Sequence, residues 1–557
     1  MNDKIQIFCK NTGEYIDVEG GSSLLDIYDN LKGRIGIKPI CAHVNNKTVG
    51  LGYPVFMPKM IEFVDLHNPS AQRMYVRSLC MVLAKAVRDV FPRRHLRIEH
   101  SIAGGFYATI SDVIIDSDVV ARLKRRMQEI VDCDIIFRRY MKLTTDVAET
   151  FRKGGSEEKA RLLETTNKLY SVYYDLDGYV DSFYGDLVPS TSYLQVFDLA
   201  TYESGMVLLP PDFTGDTSHV AELKPQPKLF NAFKDYIEFN NIIGVSDVGT
   251  LNHAMDDRNN VRMLIAVAET LHDKKIGQIS DRIAKKFHEG GARIVLLAGP
   301  SSSGKTTTTK RLAINLVTNL IRPQLISLDN YFVDRERTPR DETGDYDYES
   351  LYALDLEQFN KDLNDLLAGK EVAMPTYDFT TGKRVYKGNT LHLDDNTILL
   401  IEGIHGLNPE LTASIPDDQK FKIFVSALTT LNIDNHNWVS TTDNRLLRRI
   451  IRDYKYRGNS ALDTIRRWPS VRRGEEKWIM PYHQNADAMF NSSLIFELGV
   501  MKEMAESVLK QVPHSEPEYA EAHRLLSFLS YFKPISAQQV PSTSLLREFL
   551  GGSSFKY

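Results

Sequence analysis

The sequence predicts an α/β protein with a parallel sheet on its C-terminal side, preceded by two smaller α+β domains. Apolar runs at residues 293–298, 325–328 and 398–401 have the length of buried strands, and a helical pattern follows the first of them. The front of the chain instead shows short alternating strands around one capped helix, which is typical of a small α+β unit.

Composition limits the class of protein. A chain of 557 residues corresponds to about three or four domains. The net charge of −5 gives no general attraction to nucleic acid or anionic lipid. No apolar run reaches the length of a membrane span, and the N-terminus lacks the apolar core of a signal peptide. The absence of a CxxC pair favours reduced thiols in the cytoplasm. The four cysteines are Cys9, Cys41, Cys80 and Cys133.

Residues 299–306 read Gly-Pro-Ser-Ser-Ser-Gly-Lys-Thr and match the P-loop pattern of glycine, four residues, Gly-Lys-Ser/Thr. They lie between the predicted strand 293–298 and a predicted helix at 307–316. Backbone N–H groups at such a helix start bind phosphate oxygens, and glycines allow the close approach. The sequence therefore predicts a site for ATP. The residues expected to bind it are Gly299, Ser301, Ser302, Ser303, Gly304, Lys305, Thr306 and Thr307.

Four side chains are expected to carry chemistry at this site. Lys305 places a cation beside the β- and γ-phosphates, and the Thr306 hydroxyl is a ligand for Mg²⁺. Asp329 follows an apolar strand and is predicted to accept the proton of a substrate hydroxyl. Glu402 ends a second apolar strand, in the Walker B arrangement that reaches Mg²⁺ directly or through water.

The first 68 residues contain the elements of a small α+β domain. Strands predicted at 4–8 and 14–18, a helix at 24–31 and strands at 40–44 and 61–66 suggest a β-grasp fold. Residues 1–68 also resemble the TGS domain at the front of threonyl-tRNA synthetases.

A second resemblance covers residues 69–225, which are similar to the editing domain of the same enzymes. The helical face at 75–90, the run Gly-Phe-Tyr at 105–107 and the segments 179–181 and 188–191 carry it.

The functional residues of that editing domain are not retained. The places of its two histidines hold Arg77 and Met81, and those of its later cysteine and histidine hold Phe183 and Leu187. These side chains cannot form a His/Cys site for ester hydrolysis. The region is therefore expected to be a scaffold without deacylase activity, with RNA contact, nucleotide-dependent regulation and subunit contact as alternative roles. Residues 226–290 are predicted to be a helical connector.

Five ordered motifs in the C-terminal part are similar to those of the uridine kinase and phosphoribulokinase family. After the P-loop, they are the segments 328–332, 346–348, 375–379 and 401–404. The resemblance covers roughly residues 291–500 of a domain that is expected to run from 291 to 557. It implies that Asp329 is the general base, that Thr306 and Glu402 serve Mg²⁺, that Asp347 binds ribose hydroxyls and that Tyr377 packs on the base.

One position departs from the family. Uridine kinases have a histidine that reads the pyrimidine five residues after the motif tyrosine, and Gly382 stands there in this chain. Glycine has no side-chain donor, so base recognition must differ or relax.

Arginines repeat at helical spacing after the predicted strand 421–425. One predicted helix face carries Arg445, Arg448, Arg449 and Arg452. A solvated basic face or an RNA-contact stripe is one interpretation, and an arginine lid over the phosphates is the favoured one. By the family resemblance, Arg449 contacts ribose, while Arg452 and Arg457 contact phosphates and act in catalysis.

The remaining C-terminal sequence yields less. Residues 494–496 are predicted to form the last strand of the sheet and 500–512 a helix, while His405 is expected to be structural.

The sequence thus predicts a cytoplasmic kinase that uses ATP and Mg²⁺ to phosphorylate a ribose 5′-hydroxyl, with uridine and cytidine as leading substrates. The alternatives are a nucleotide-regulated RNA-binding protein and a kinase of another small alcohol such as a sugar phosphate. No membrane partner is expected. RNA contact through the front domains and a homo-oligomer stay open.

Overall fold

The computed structural model describes residues 4–342 and 344–556. Its strands are β1 Lys4–Cys9, β2 Glu14–Glu19, β3 Cys41–Val44, β4 Lys47–Gly50, β5 Met60–Val64, β6 Leu96–Ile102, β7 Gly105–Ile110, β8 Arg138–Leu143, β9 Tyr170–Leu176, β10 Tyr179–Asp181, β11 Asp198–Tyr202, β12 Gly205–Leu209, β13 Ile294–Ala298, β14 Arg322–Ser327, β15 Val372–Asp378, β16 Lys383–Leu391, β17 Thr397–Glu402, β18 Lys420–Ser426 and β19 Ala488–Asn491. Its α-helices are α1 Leu24–Leu31, α2 Pro69–Val90, α3 Ser117–Asp132, α4 Thr144–Lys153, α5 Glu157–Glu164, α6 Pro227–Ile242, α7 Val248–Ala254, α8 Arg258–His288, α9 Lys305–Thr318, α10 Leu356–Leu367, α11 Thr441–Tyr456, α12 Ala461–Trp478, α13 Glu497–Leu509, α14 Tyr519–Leu529 and α15 Arg547–Leu550.

The first unit is a five-stranded sheet in the order β2-β1-β5-β3-β4, with α1 packed on it. Ser23 caps α1 through a reciprocal capping box with Asp26, which satisfies two backbone donors at the helix start. The expected strands and helix are present, and β4 is an additional strand.

Helix α2 forms the core of the second unit, between residues 69 and 225. It is buried along most of its length, because its neighbours cover it on several sides. These neighbours include α3 and the sheet β11-β12-β7-β6. Three of the four side chains at the positions that the sequence resemblance assigns to editing residues, Met81, Phe183 and Leu187, lie together in this apolar core. At the fourth, Arg77 donates to the Asp186 carbonyl at 3.0 Å.

The C-terminal sheet is entirely parallel, in the order β14-β17-β13-β18-β19. Strand β13, which precedes the P-loop, is central. Strand β14, which precedes Asp329, is not its direct neighbour, because β17 lies between β14 and β13. All three strands end at the same edge of the sheet, since Ser327 and Leu297 both pair with Glu402.

The prediction of a last strand at 494–496 is wrong. The fifth strand is β19, and the chain turns at 495–496 into α13. Leu494 and Phe496 are buried, but they pack among helices rather than in the sheet. A three-residue apolar run does not distinguish these environments, because both require apolar side chains.

The front half and the C-terminal domain meet at a buried ionic cluster, here called the junction network, which consists of Lys159, Asp181, Asp434 and His436. The Lys159 ammonium lies 2.8 Å from Asp181 and 3.0 Å from Asp434. The His436 Nδ1 atom lies 2.7 Å from the second oxygen of Asp181. Two of these side chains belong to each side of the junction, so the network joins the two halves.

No helix in the described ranges has the length and apolarity that a membrane span requires. All four cysteines are free thiols, and Cys133 is the exposed one among them.

Candidate active site

The P-loop turns sharply from β13 into α9. Gly304 is the residue before α9 and has a φ of 81°, which an L side chain rarely adopts. Gly299 lies so close to β18 that a Cβ atom there would be 1.9 Å from the Val425 carbonyl oxygen. Both glycines are therefore required by the backbone path of the loop.

Helix α11 fixes this loop from the other side. Arg445 Nε donates to the Ser301 carbonyl at 2.9 Å, and Arg448 Nη1 donates to the Ser302 carbonyl at 3.4 Å. Buried ion pairs with Glu475 and Glu497 hold these two guanidinium groups. Arg445 and Arg448 therefore hold the loop in shape, and they are not exposed cations of a lid.

Two serine hydroxyls of the loop are buried without a hydrogen-bond partner among the described residues. They belong to Ser302 and Ser303, which are 3% and 0% exposed. Buried polar atoms are normally satisfied, so unsatisfied donors beside a glycine-rich turn indicate that a polar ligand belongs there. Phosphate oxygens fit this need.

Glu402 lies beside the P-loop at the end of β17. Its Oε1 atom accepts from Thr306 Oγ1 and from Ser327 Oγ, each at 3.4 Å. Burial and the nearby Asp329 raise the pKa of Glu402 to about 7, although Lys305 opposes this. A carboxylate and a hydroxyl this close together suit a hard cation such as Mg²⁺, which would remove the cost of ionising Glu402.

Asp329 lies in a short 3₁₀ helix, Leu328–Tyr331, directly after β14. Its carboxyl is exposed in the open cleft, but the surrounding protein still reduces its hydration and raises its pKa. Three cations, Lys305, Arg457 and Arg452, oppose that rise. They show that the predicted base shares one electrostatic site with the predicted cations.

Lys305 is at the centre of this site. Its ammonium donates to the Pro300 carbonyl at 3.1 Å. Burial lowers the pKa of Lys305, and Glu402 and Asp329 partly offset this effect. Both predicted carboxylates, Glu402 and Asp329, therefore stabilise the charged form of the Lys305 ammonium.

The three remaining predicted arginines have different surroundings. Burial and the neighbouring Arg457 lower the pKa of Arg452 to about 10. Arg457 is half exposed at the end of α11 and pairs with Asp453 at 3.2 Å. Arg449 donates to the Ser301 hydroxyl at 3.0 Å, which places it at the P-loop.

The predicted acceptor residues lie on other segments. Tyr377 is the last but one residue of β15 and is buried, and its backbone N–H donates to the Asn330 side chain at 3.3 Å, next to Asp329. The Asp347 carboxylate accepts from the Glu349 backbone N–H at 3.1 Å within its own loop. His405 is buried, and burial lowers its pKa to about 4.

The sequence analysis missed Glu349. Burial, together with the nearby Glu475, raises its pKa to about 7, and its Oε2 atom is buried without a partner in the described chain. Its position two residues after the motif aspartate Asp347 was the only signal available.

The C-terminal tail also reaches the site, which the sequence analysis did not foresee. Leu545 packs so closely on Gly304 that a Cβ atom there would be 2.7 Å from it. Glu548 accepts from Thr307 Oγ1 at 2.6 Å and lies 3.9 Å from Arg452. The carboxylate of Glu548 therefore lies beside the first turn of α9, where the phosphates of ATP are expected to bind.

Comparisons with known proteins agree with this geometry. The model of the phosphoribulokinase / uridine kinase family matches residues 294–495. A uridine kinase from Staphylococcus aureus (strain JH9) is 31% identical over 195 residues, which are 35% of this chain and 84% of that protein. The chain belongs to the phosphoribulokinase / uridine kinase family. The uridine kinase of Staphylococcus aureus strain Newman shows the same identity and coverage.

A solved structure described as a possible uridine kinase from Bacillus stearothermophilus aligns with 38% of this chain and 98% of its own, at 20% identity and a TM-score of 0.26. The family assignment therefore rests on the sequence matches. As a member of this family, the chain is a nucleotide-binding kinase of the P-loop type. The matched region contains the P-loop, Asp329, Glu402 and helix α11, and it excludes the front half.

Proposed function

We propose that the protein transfers the γ-phosphate of ATP to the 5′-hydroxyl of a nucleoside, with uridine and cytidine as the leading acceptors. The observation that carries the proposal is the convergence of Lys305, Glu402 and Asp329 at one edge of a parallel sheet, beside a loop with unsatisfied donors. Ligands of open parallel sheets bind at this edge.

The residues divide the work. The P-loop and Lys305 bind and align the triphosphate, and Arg452 and Arg457 stabilise the charge of the transferred group. Asp329 accepts the proton of the acceptor hydroxyl, for which a carboxyl with a raised pKa is a stronger base. Thr306 and Glu402 would hold Mg²⁺, which supplies neutralisation of phosphate charge.

Replacement of the base tests this mechanism. The purified full chain is incubated with ATP, Mg²⁺ and a panel of nucleosides, sugars and sugar phosphates. We expect phosphorylation of a nucleoside, and we expect Asp329→Asn to lower kcat by about 10²–10⁴-fold. Asp418→Asn, an exposed change at the opposite end of the sheet, serves as the control. Unaltered nucleosides throughout, or full activity of Asp329→Asn, would overturn the proposal.

A second candidate function, RNA contact, is supported by strand β8. This edge strand is exposed along its whole length and carries Arg138, Arg139, Tyr140 and Lys142. Three cations beside an exposed aromatic ring suit a single-stranded nucleic acid. If the full chain binds RNA there, Arg138→Gln with Lys142→Gln should reduce the slope of log affinity against log salt by about 1.4. An unchanged slope would exclude β8.

A further inference from the structure

The hairpin formed by β15 and β16 packs against the segment that carries Asp329. The Tyr377 N–H donates to Asn330, and the rings of Tyr377 and Phe332 lie 5.5 Å apart. The turn of the hairpin, residues 379–382, is therefore attached to the acceptor side of the cleft.

Arg335 occupies the side-chain space of position 382. Gly382 has a φ of 71°, and a Cβ atom there would lie 2.7 Å from Arg335 Nε and 2.8 Å from Arg335 Cζ. The backbone N–H of Arg335 donates to the Gly382 carbonyl at 2.8 Å, and its Nη2 donates to the Phe379 carbonyl at 2.7 Å. A side chain at position 382 would clash with Arg335, so the observed position of the guanidinium requires glycine at 382.

The guanidinium of Arg335 has unused donors. Among residues 4–342 and 344–556, no carboxylate lies within ion-pair distance, and the N–H groups of Nε and Nη1 have no protein acceptor and are open to solvent. A guanidinium has five N–H donors, and a half-buried one is normally paired. Next to it, the Tyr377 hydroxyl is buried without a partner in the described chain, although Tyr377 is only 5% exposed. A buried hydroxyl without a partner, beside guanidinium donors that are open to solvent, indicates a polar ligand.

The walls around these groups are aromatic. Phe332 has ring contacts with Tyr348, Tyr377 and Phe379 at 5.9, 5.5 and 6.3 Å. Phe379 is 60% exposed, so the face of its ring is accessible to a ligand. Exposed rings beside donors suit a planar heterocycle, whose faces contact the rings while its edge accepts hydrogen bonds.

We propose that Arg335 is a specificity-determining residue that donates a hydrogen bond to a ring carbonyl oxygen of the acceptor base. This inference rests on the proposed nucleoside kinase function. It assigns to Arg335 the base-reading role that a histidine at the position of Gly382 has in uridine kinases. Burial raises the pKa of the neighbouring Tyr377 hydroxyl, and Asp334 and Glu336 add to this rise although Arg335 opposes it. A neutral carbonyl suits the site better than a phosphate, since these two acids on either side of Arg335 in the chain would repel an anion.

Steady-state kinetics of the full chain test the inference. Arg335→Gln should raise KM for the nucleoside by about 10–100-fold, the value of a hydrogen bond to a charged donor, and change kcat and the KM for ATP by less than about threefold. Arg337→Gln removes the same charge from an exposed neighbour and should leave all constants unchanged. An analogue of the nucleoside that lacks the contacted carbonyl should have the same KM with wild type and Arg335→Gln.

The outcomes separate the two proposals. If the wild type phosphorylates no nucleoside, the proposed function fails and the inference fails with it. If nucleosides react but Arg335→Gln behaves like Arg337→Gln, the inference alone is overturned. A sugar phosphate as preferred acceptor, with its KM raised by Arg335→Gln, would also overturn it, because the arginine would then bind an anion. An unchanged KM for ATP shows that the variant is folded.

Discussion

The active site and the junction network are both clusters of acids and bases, but their charges are arranged in opposite ways. At the active site, burial raises the pKa of Glu402 to about 7 and also raises that of Asp329. In the junction network, burial alone would raise the pKa of Asp181, but Lys159 and His436 lower it overall. Likewise, burial opposes ionisation of Lys159, but Asp181 and Asp434 raise its pKa.

This difference in the direction of the pKa shifts distinguishes a cluster that needs a ligand from one that does not. The junction network satisfies its own charges, with side chains that are at most 9% exposed, and it needs nothing from outside. The active site leaves carboxylates undercompensated, so its charges are complete only with phosphates and a cation. A cluster whose pKa values oppose ionisation is therefore a better indicator of function than the number of its charges.

The largest effect is expected from breaking the junction network. Lys159→Met leaves Asp181 and Asp434 buried without their shared cation, which should lower the free energy of unfolding by about 3–5 kcal/mol. Urea denaturation measures the loss. Lys153→Met, at a residue whose side chain is 75% exposed, should cost less than about 1 kcal/mol. Equal stability of the two variants would show that the junction network is not a self-sufficient cluster.

The second prediction concerns pH. The folded-state pKa of Glu402 is raised from 4.5 to about 7, so its contribution to stability is present below about pH 4.5 and is lost as the pH rises to about 7. The metal-free wild type should therefore lose melting temperature relative to Glu402→Gln across this interval, and Mg²⁺ with ATP should restore it. Melting curves from pH 5 to 8 measure the difference. A constant gap would contradict the raised pKa.

The smallest effect is expected at Glu548. Its carboxylate contacts Thr307 and Arg452, so Glu548→Gln should remove a negative charge from the phosphate region. We expect the Kd for ATP to fall by roughly fivefold, which corresponds to about 1 kcal/mol. Calorimetric titration measures it, with the exposed Glu503→Gln as control. Weaker ATP binding would show instead that Glu548 helps to build the site.

The sequence predicted the centre of the fold well because local patterns determine it. The apolar runs before Gly299, Asp329 and Glu402 became strands β13, β14 and β17, with ends within a few residues of the expected positions. The order of the strands in the sheet could not be predicted from the sequence, since the three runs are equally apolar and nothing in them identifies a neighbour. Strand β16 has no buried residue and therefore gave no periodic pattern.

The site was predictable only where its residues lie in motifs. Lys305, Asp329 and Glu402 follow strands and were expected to meet, and their electrostatic coupling agrees with that expectation. Glu548 is 241 residues from its partner Thr307, and no local pattern encodes so distant a contact. Arg335 was missed for a related reason. Only the folded structure shows that its side chain fills the space beside Gly382, since no local pattern encodes this contact.

The loop between β18 and α11 has a practical consequence for anyone who divides this chain. Residues 434–437 of that loop bind the front half, where the Ile98 N–H donates to the Asn435 carbonyl at 2.8 Å. Four residues later, α11 begins and carries the arginines that hold the P-loop. An excised catalytic fragment would lose the anchor at one end of that helix, so its turnover would not represent that of the intact protein.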